Sequence, residues 1–357
     1  MTETRETTVF VDHHKLKEFA TNLLTAAGLT ENDASLVSEY LVETSLRGVD
    51  THGVTLLPHY LRRIQNGTVE PRPNIRFTQL SASTGLVDGG HGLGHLVMNR
   101  ATIEAISLAK KTGAAWVTVR ESSHCGALAC FGLRIADEGM IGLVFSHTDT
   151  IVLPYGSREP FCGTNPICIT APGERNSICL DMATSRVAAH RVKNAAKKGK
   201  GIPLGWAVDE KGNETTDSKQ ATYLYPFGEY KGSGLGLMIE VFCALLTGSP
   251  YGPDISRMYE ELHKRRHLGG LVGAMDIARF VSLDDFRCRV TDLLEGLGSL
   301  KPVESSGAVL YPGEPEIRSR LERLKNGIPL GRRTLEEFPK AAQPFGLDQT
   351  LRMWMGE

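Results

Sequence analysis

Two histidines lie in segments where an imidazole can exchange a proton with a substrate. His124 falls between a strand predicted to end near Val119 and a helix predicted to begin near Gly126. A turn of this kind faces the crevice in which open α/β sheets bind ligands. An imidazole there can take the hydroxyl proton of an alcohol while hydride leaves the same carbon. We therefore predict that His124 is a general base, with an ordinary loop histidine as the alternative.

His52 lies in the segment DTHG, residues 50–53, directly after a predicted helix. Gly53 lets the backbone bend so that the imidazole projects, and His52 can then orient a substrate or share the proton transfer. A turn histidine satisfied by its neighbours is the alternative. The other histidines, including His13, His14 and His59, show no metal-ligand spacing. We interpret them as surface residues and predict no metal site.

An anion site is predicted where the segment EYKGSG, residues 229–234, runs into an apolar helix from about Leu235 to Leu246. Glycines allow close backbone approach, a helix start offers free N–H groups, and Lys231 adds a positive charge. This combination favours a phosphate or carboxylate over the alternative, a flexible capping loop.

The glycine-rich segment GGHGLG, residues 89–94, does not have the G-x-G-x-x-G spacing, and no acidic residue stands out about twenty positions later. We therefore exclude a conventional Rossmann site. A second candidate is LDMATS, residues 180–185, where a predicted strand ends in Asp181. A carboxylate at this position can orient an imidazole or accept a hydrogen bond from a ribose hydroxyl.

The surrounding pattern predicts both helices and strands. Asp12 and Thr30 are predicted helix caps, and the two helices that they open end at Gly28 and Gly48. After Pro71 and Pro73 the pattern changes to short apolar runs, which marks a domain boundary. Further helices are predicted at 96–111, around 128–135 and at 316–327, and strands at 114–119, 141–146, 166–170 and 177–183, without a strict βαβ alternation. The pattern leaves open which domain residues 316–327 join.

Composition limits the possible partners and the compartment. The 357 residues are 41% hydrophobic with a formal charge of −1, so we expect neither nucleic acid nor a membrane as a partner. No signal peptide is predicted, and the seven cysteines form no CxxC pair. We therefore expect reduced thiols in a cytoplasmic protein.

Several blocks taken together resemble the type-2 malate/L-lactate dehydrogenase family over roughly residues 10–330. They are DTHG, the SSHCGA stretch around His124, GTNP at 163–166, LDMATS, IPLGWAVDEKGNETTD at 202–217, YKGSGLGLM at 230–238 and YPGE at 311–314. The pattern LH..R.LG at 262–269 is most similar to the ureidoglycolate dehydrogenase branch.

The resemblance implies a non-Rossmann α/β fold. A helical domain from both chain ends, residues 1–74 with 308–357, would accompany an inserted mixed-sheet NAD(P)-binding domain, residues 75–307. It also implies a homodimer and either NAD or NADP as cofactor. His124 and His52 match the family's acid/base histidines. The cofactor positions that carry over are Thr148, Asp181, Met182, Ala183, Lys231, Pro312, Gly313 and Glu314.

One departure from the family concerns the substrate. Many relatives have an arginine shortly after the HG pair, suited to a substrate carboxylate, whereas this chain has VTLL at 54–57. Arg47, Arg158 or Arg186 are alternative sources of that charge. We expect hydride transfer on a small 2-hydroxy or 2-oxo carboxylic acid, such as malate, lactate or ureidoglycolate.

Three other functions remain open. The first is a reductase of a 2-oxo acid or cyclic imine carboxylate. The second is a metal-dependent hydrolase using His52, His124 and Asp149, which no ligand spacing supports. The third is a nucleotide-binding sensor without catalysis, against which the two intact histidines argue.

Overall fold

The computed structural model describes residues 8–304 and 307–347. The helices are α1 His13–Ala26, α2 Glu31–Leu46, α3 Leu57–Gln65, α4 Gly94–Thr112, α5 Ala129–Asp137, α6 Ala189–Lys197, α7 Tyr230–Cys243, α8 Leu283–Gly298, α9 Glu314–Asn326 and α10 Arg332–Ala342. The strands are β1 Thr8–Val11, β2 Arg76–Gln79, β3 Thr84–Asp88, β4 Ala114–Ser122, β5 Met140–Ser146, β6 Ile167–Ala171, β7 Ile178–Met182, β8 Ala207–Val208, β9 Glu214–Thr215, β10 Tyr223–Leu224, β11 Leu268–Asp276 and β12 Ile328–Gly331.

The first two helices begin where the sequence predicts. Asp12 accepts hydrogen bonds from the backbone N–H groups of His14 and Lys15, and the Thr30 hydroxyl accepts one from Asp33. These caps satisfy N–H groups that the first helical turn leaves free. The residues of α1 that follow helical spacing are buried, among them Leu16, Phe19 and Leu23. The two predicted caps are confirmed.

Both ends of the described chain pack into one apolar core with these helices. Strand β1 pairs antiparallel with β12, and Phe19 of α1 lies against Phe338 of α10. Helix α9 packs on α2, where Arg320 Nε donates to Glu43 Oε1 at 2.8 Å. Residues 316–327 therefore pack with the N-terminal helices. The domain limits stay a prediction, and residues 1–7, 305–306 and 348–357 lie outside the described part of the chain.

A seven-stranded mixed sheet forms the centre of the molecule, in the order β2-β3-β4-β11-β5-β6-β7. The pair β3 and β4 is parallel, and the other neighbours are antiparallel. Alternate residues pack on opposite faces: Val144 joins the core under α4 and α5, while Phe145 joins the core under α7. This is the period of two expected for a strand covered on both sides.

The sheet topology brings distant segments to one edge. Strand β11 runs antiparallel to β4 and β5, so its first residue lies beside the last residues of both. The start of β6 and the end of β7 lie on the same side, because β5, β6 and β7 alternate in direction. Five segments therefore lie next to one another at this edge of the sheet: those that follow β4, β5 and β7, and those that precede β6 and β11. Each of the predicted residues 124, 148 and 181–183 lies in or next to one of them.

Candidate active site

A cavity of about 890 Å³ opens at this edge, between the sheet and the N-terminal helices. Its volume lies within the range of cavities that hold drug-sized ligands and cofactors. The structure brings eight of the ten predicted site residues into its walls: His52, His124, Thr148, Asp181, Met182, Ala183, Pro312 and Gly313. Glu314 and Lys231 are not among the lining residues.

His124 is held in the cavity wall through its Nδ1 atom. The Tyr60 hydroxyl, on α3, lies 2.7 Å from His124 Nδ1, and the Gly126 N–H donates to the same atom over a longer 3.3 Å. These contacts leave Nε2 as the ring nitrogen available to a substrate. The ring of His52 stacks on that of His124 with centroids 5.6 Å apart. The structure thus brings together the two histidines that the sequence singles out.

Both imidazoles are held in the neutral form. Burial lowers the pKa of His124 well below its usual range, and the neighbouring His52 and His95 lower it further. Burial also lowers the pKa of His52, to about 4, and its Nδ1 lies 2.7 Å from the Thr51 hydroxyl. A neutral imidazole can accept a proton, whereas an imidazolium cannot. The pair is therefore suited to begin a reaction as base at neutral pH.

A buried arginine lies at the same end of the cavity as His124. Arg266 precedes β11, is 3% exposed, and donates from Nη2 to Asp149 Oδ1 at 2.7 Å. Leu268 pairs with Ser122, so Arg266 and His124 each lie two residues beyond this pair at the same edge of the sheet, and the Arg266 charge adds to the lowering of the His124 pKa. Nε and Nη1 of Arg266 are buried and have no hydrogen-bond partner among the described residues. A buried guanidinium with unfilled donors is the arrangement expected where an anionic ligand binds.

A second buried arginine lies at the other end of the cavity, beside Asp181. The Asp181 carboxylate accepts a 2.8 Å hydrogen bond from Ala129 N–H at the start of α5. Although this carboxylate is exposed to the open cavity, the surrounding walls reduce its hydration and raise its pKa to about 6, while the Arg47 charge opposes the shift. Arg47 is 6% exposed, and its Nε has no hydrogen-bond partner among the described residues.

The glycine-rich segment before α7 differs from the sequence prediction. The helix begins at Tyr230 rather than near Leu235. The N–H groups of Lys231, Gly232 and Ser233 donate to carbonyl oxygens of the preceding turn, so these three groups are not free to bind an anion. Gly232 is required because a Cβ atom would lie 2.1 Å from the Phe227 carbonyl oxygen. Lys231 itself is exposed, and its role stays a prediction.

Thr148 is positioned by a buried polar network under the sheet edge. Its N–H donates to Asn165 Oδ1 at 3.2 Å, and Asn165 Nδ2 donates to Glu240 Oε2 at 2.6 Å. Glu240 Oε1 accepts from Gly252 N–H, and His147 Nδ1 lies 3.5 Å from it. His147 Nε2 accepts from Gly269 N–H at 2.7 Å. The network therefore fixes the segments after β5, before β6 and at the start of β11 relative to one another.

The interpretation of the remaining histidines as surface residues is wrong for several of them. His59 is 5% exposed, His95 1% and His147 0%. Each becomes buried only when segments distant in sequence pack around it, as where Gly269 donates to His147. Local sequence contains no signal for that packing.

Sequence reasoning missed Tyr60 and Arg266 and named Arg158 and Arg186, neither of which lines the cavity. Tyr60 lies eight positions after His52 in the next helix, which is the one available hint. Arg266 belongs to the segment LHKRRHLG, residues 262–269, which contributes to the family resemblance but contains no local signal that relates it to His124. Arg47, also named from the sequence, does line the cavity.

Comparison with known proteins decides the family. A family model described as malate/L-lactate dehydrogenase matches residues 11–338. The chain belongs to the malate/L-lactate dehydrogenase family. Among curated members, a malate dehydrogenase of Pyrococcus horikoshii is 34% identical over 353 residues, which cover 96% of this chain and 97% of that one. A ureidoglycolate dehydrogenase (NAD(+)) of Escherichia coli O157:H7 is 32% identical and covers 89% of this chain and 91% of its own length.

A solved member of the malate/L-lactate dehydrogenase family has the same fold. The sulfolactate dehydrogenase of Methanocaldococcus jannaschii matches with a TM-score of 0.89 at 30% identity, over 95% of this chain and 98% of that chain. The family resemblance and the non-Rossmann α/β fold with a mixed sheet predicted from the sequence are confirmed. Within the described residues, no helix is both long and apolar enough to cross a membrane.

Proposed function

We propose that this chain is an NAD- or NADP-dependent oxidoreductase that transfers hydride between nicotinamide and a small 2-hydroxy or 2-oxo carboxylic acid. One observation carries the proposal: a single cavity contains a neutral histidine and two buried guanidinium groups with unfilled N–H donors. A dinucleotide and an acid substrate present two anionic groups, a pyrophosphate and a carboxylate. Relatives named for NAD(+) and for NADP(+) both occur, so either cofactor is included.

The cofactor is assigned to the end of the cavity that contains Asp181. There Asp181, Met182 and Ala183 line the wall together with Pro312 and Gly313, whose segment accepts a hydrogen bond from Cys179 N–H of β7, and Arg47 provides a buried positive charge. The unfilled Nε of Arg47 fits an anionic group. Thr148 also lines the cavity and belongs to the proposed cofactor-binding set. Lys231 and Glu314 belong to this set as well, although neither lines the cavity of a single chain. When bound, the nicotinamide supplies or accepts the hydride at its C4 atom.

The acid substrate is assigned to the end of the cavity that contains His124. Arg266 attracts the carboxylate, which directs the hydroxyl on the adjacent carbon toward His124. Nε2 of neutral His124 takes the hydroxyl proton during oxidation and returns it during reduction. For Nε2 to accept, the proton of neutral His124 must lie on Nδ1, from which it donates to the Tyr60 hydroxyl oxygen, and this tautomer gives up the long 3.3 Å hydrogen bond from Gly126 N–H. His52 covers one face of the ring and limits its rotation.

The test is absorbance of reduced nicotinamide with purified protein. NAD or NADP is offered with lactate, malate, ureidoglycolate and sulfolactate, and NADH or NADPH with pyruvate, oxaloacetate and piperideine carboxylate. We expect turnover with at least one pair, and His124→Ala should remove turnover while dinucleotide binding, measured by fluorescence, stays within about threefold. Equal loss of turnover and dinucleotide binding in His124→Ala would contradict the catalytic assignment of His124. Absence of both turnover and dinucleotide binding in the unaltered protein would contradict the proposed function.

The same panel separates the alternatives. Faster reduction than oxidation at matched concentrations favours a 2-oxo acid or cyclic imine reductase, and tight binding without turnover favours a sensor. Activity that persists after exhaustive chelation excludes a metal-dependent hydrolase.

The assembly and compartment are part of the proposal. A homodimer is supported by apolar side chains exposed together on and after α7: Tyr230, Leu237, Met238, Leu245 and Leu246. A cytoplasmic location is supported by the cysteines, which are all free thiols.

A further inference from the structure

Three potential metal ligands from distant segments meet beside the active-site cavity. His91 lies in the turn after β3, Glu121 near the end of β4, and His267 directly before β11. Because β3 and β4 are parallel and β11 is antiparallel to β4, these positions share one edge of the sheet. Glu121 Oε2 lies 3.0 Å from His91 Nδ1 and 2.6 Å from His267 Nδ1.

The backbone of all three residues is bent in a way that brings them together. Leu268 pairs with Ser122 and Gly270 with Val119, so two residues of β4, at 120 and 121, oppose one residue of β11. Such a β-bulge turns a side chain away from its regular direction. His91, Glu121 and His267 have φ values of 62°, 51° and 48°, a region that residues with a Cβ rarely adopt. The cluster is therefore formed against a local backbone cost.

Hydrogen bonding within the protein does not fully satisfy this cluster. His91 Nδ1 is buried and has no hydrogen bond of acceptable geometry among the described residues, although the Glu121 carboxylate is 3.0 Å away. Neutral imidazole and carboxylate are the forms that bind metal ions. All three ligand atoms lie within 4.8 Å of one another.

We propose that His91, Glu121 and His267 bind one divalent transition metal, with Zn²⁺ as the ion best matched to two imidazoles and a carboxylate. Ligands of a tetrahedral Zn²⁺ at about 2.0 Å lie about 3.3 Å apart, so small side-chain rotations accommodate the ion. Solvent completes the coordination, because the three side chains are 22%, 34% and 40% exposed. The sequence did not predict this site, since its ligands are separated by 30 and 146 positions.

The metal has a positioning role in this arrangement. Glu121 precedes His124 by three residues, and His267 directly follows Arg266. An ion bound by Glu121 and His267 ties together the two segments that carry the proposed base and the proposed carboxylate-binding residue. The site is distinct from the cavity, whose lining includes none of the three ligands. Its existence does not depend on the proposed reaction.

The experiment measures metal binding directly. Untagged, chelator-treated protein is titrated with Zn²⁺ by calorimetry and with Co²⁺ by visible absorbance. We expect one ion per chain, a Co²⁺ spectrum without a thiolate charge-transfer band, and a higher melting temperature with Zn²⁺. His91→Ala, His267→Ala and Glu121→Gln should each weaken binding at least tenfold. His263→Ala removes an exposed histidine from the same segment and should bind as the unaltered chain does.

The conservative Glu121→Gln variant keeps side-chain volume, and circular dichroism of each variant establishes that it is folded. Absence of stoichiometric binding by the folded, unaltered chain would overturn the proposal. Binding that the three cluster variants leave unchanged would also overturn it, because the ion would then lie elsewhere, for example among the cavity histidines.

Discussion

At the scale of single residues, His124 depends on its contact with Tyr60. The 2.7 Å contact between Tyr60 Oη and His124 Nδ1 fixes both the ring orientation and the nitrogen that faces the cavity. A neutral–neutral hydrogen bond contributes about 0.5–1.5 kcal/mol. Loss of this bond should therefore affect the proton transfer more than the binding of either ligand.

Tyr60→Phe removes the hydroxyl and keeps the ring. We expect kcat for oxidation to fall about tenfold, equivalent to about 1.4 kcal/mol, with KM for the dinucleotide unchanged. Steady-state kinetics over pH 6–9 measures both quantities. Tyr155→Phe, at an exposed position, is the control. A change in KM alone, with kcat intact, would contradict the positioning role of Tyr60.

Arg266 is the residue on which substrate binding should depend. Arg266→Met removes the buried charge, and we expect kcat/KM for the acid substrate to fall at least about 100-fold, or about 2.7 kcal/mol. Dinucleotide affinity should remain, because Arg47 lies at the cofactor end. Arg158→Met is the matched control, since Arg158 is exposed and was an equal candidate from sequence. A similar loss of kcat/KM in Arg266→Met and Arg158→Met would contradict a specific role of Arg266 in substrate binding.

At the scale of elements, Glu240 of α7 connects three segments of the sheet edge. Burial by itself raises the pKa of this carboxyl, but its contacts with His147, Gly252 and Asn165 outweigh burial and the net pKa is lowered from 4.5. A carboxyl with a lowered folded-state pKa stabilises the fold above its unfolded pKa. That stabilisation is lost as the pH falls through the folded-state value.

Glu240→Gln should lower the free energy of unfolding by about 1–3 kcal/mol at pH 7, because the amide NH₂ faces donors that the carboxylate accepted. The difference from the unaltered chain should shrink below about pH 4.5, where the carboxyl becomes protonated in the unfolded state. Thermal and urea unfolding at pH 7 and pH 4 measure this, with Glu322→Gln on the exposed face of α9 as control. An equal difference at both pH values would show that the charge is not responsible.

At the scale of the whole molecule, the exposed apolar side chains on and after α7 predict association of two chains. Leu245 and Leu246 are 56% and 59% exposed in the single chain, and contiguous apolar surface of this kind is typical of an interface. In a dimer with two-fold symmetry, the same surface patch of both copies lies in the interface.

Light scattering after size exclusion should give twice the chain mass of 38.9 kDa at micromolar concentration. Leu246→Glu places a charge in the proposed interface and should shift the mass toward one chain, since an unpaired buried charge is strongly unfavourable. Leu293→Glu changes a similarly exposed leucine on α8 and should leave the mass unchanged. A single-chain mass for the unaltered protein would overturn the dimer.

The sequence by itself determined the local structure and the type of chemistry. Helix caps such as Asp12 and Thr30 depend on residues within three positions of one another, and the short apolar run of β5 is likewise local, so both could be predicted. His124 was found because a strand and a helix flank it. Only the tertiary structure decided that Arg266 lies beside His124, that His147 is buried, and that His91, Glu121 and His267 meet. These relations depend on the antiparallel placement of β11 between β4 and β5, a pairing across more than a hundred residues that leaves no periodic signal in the chain.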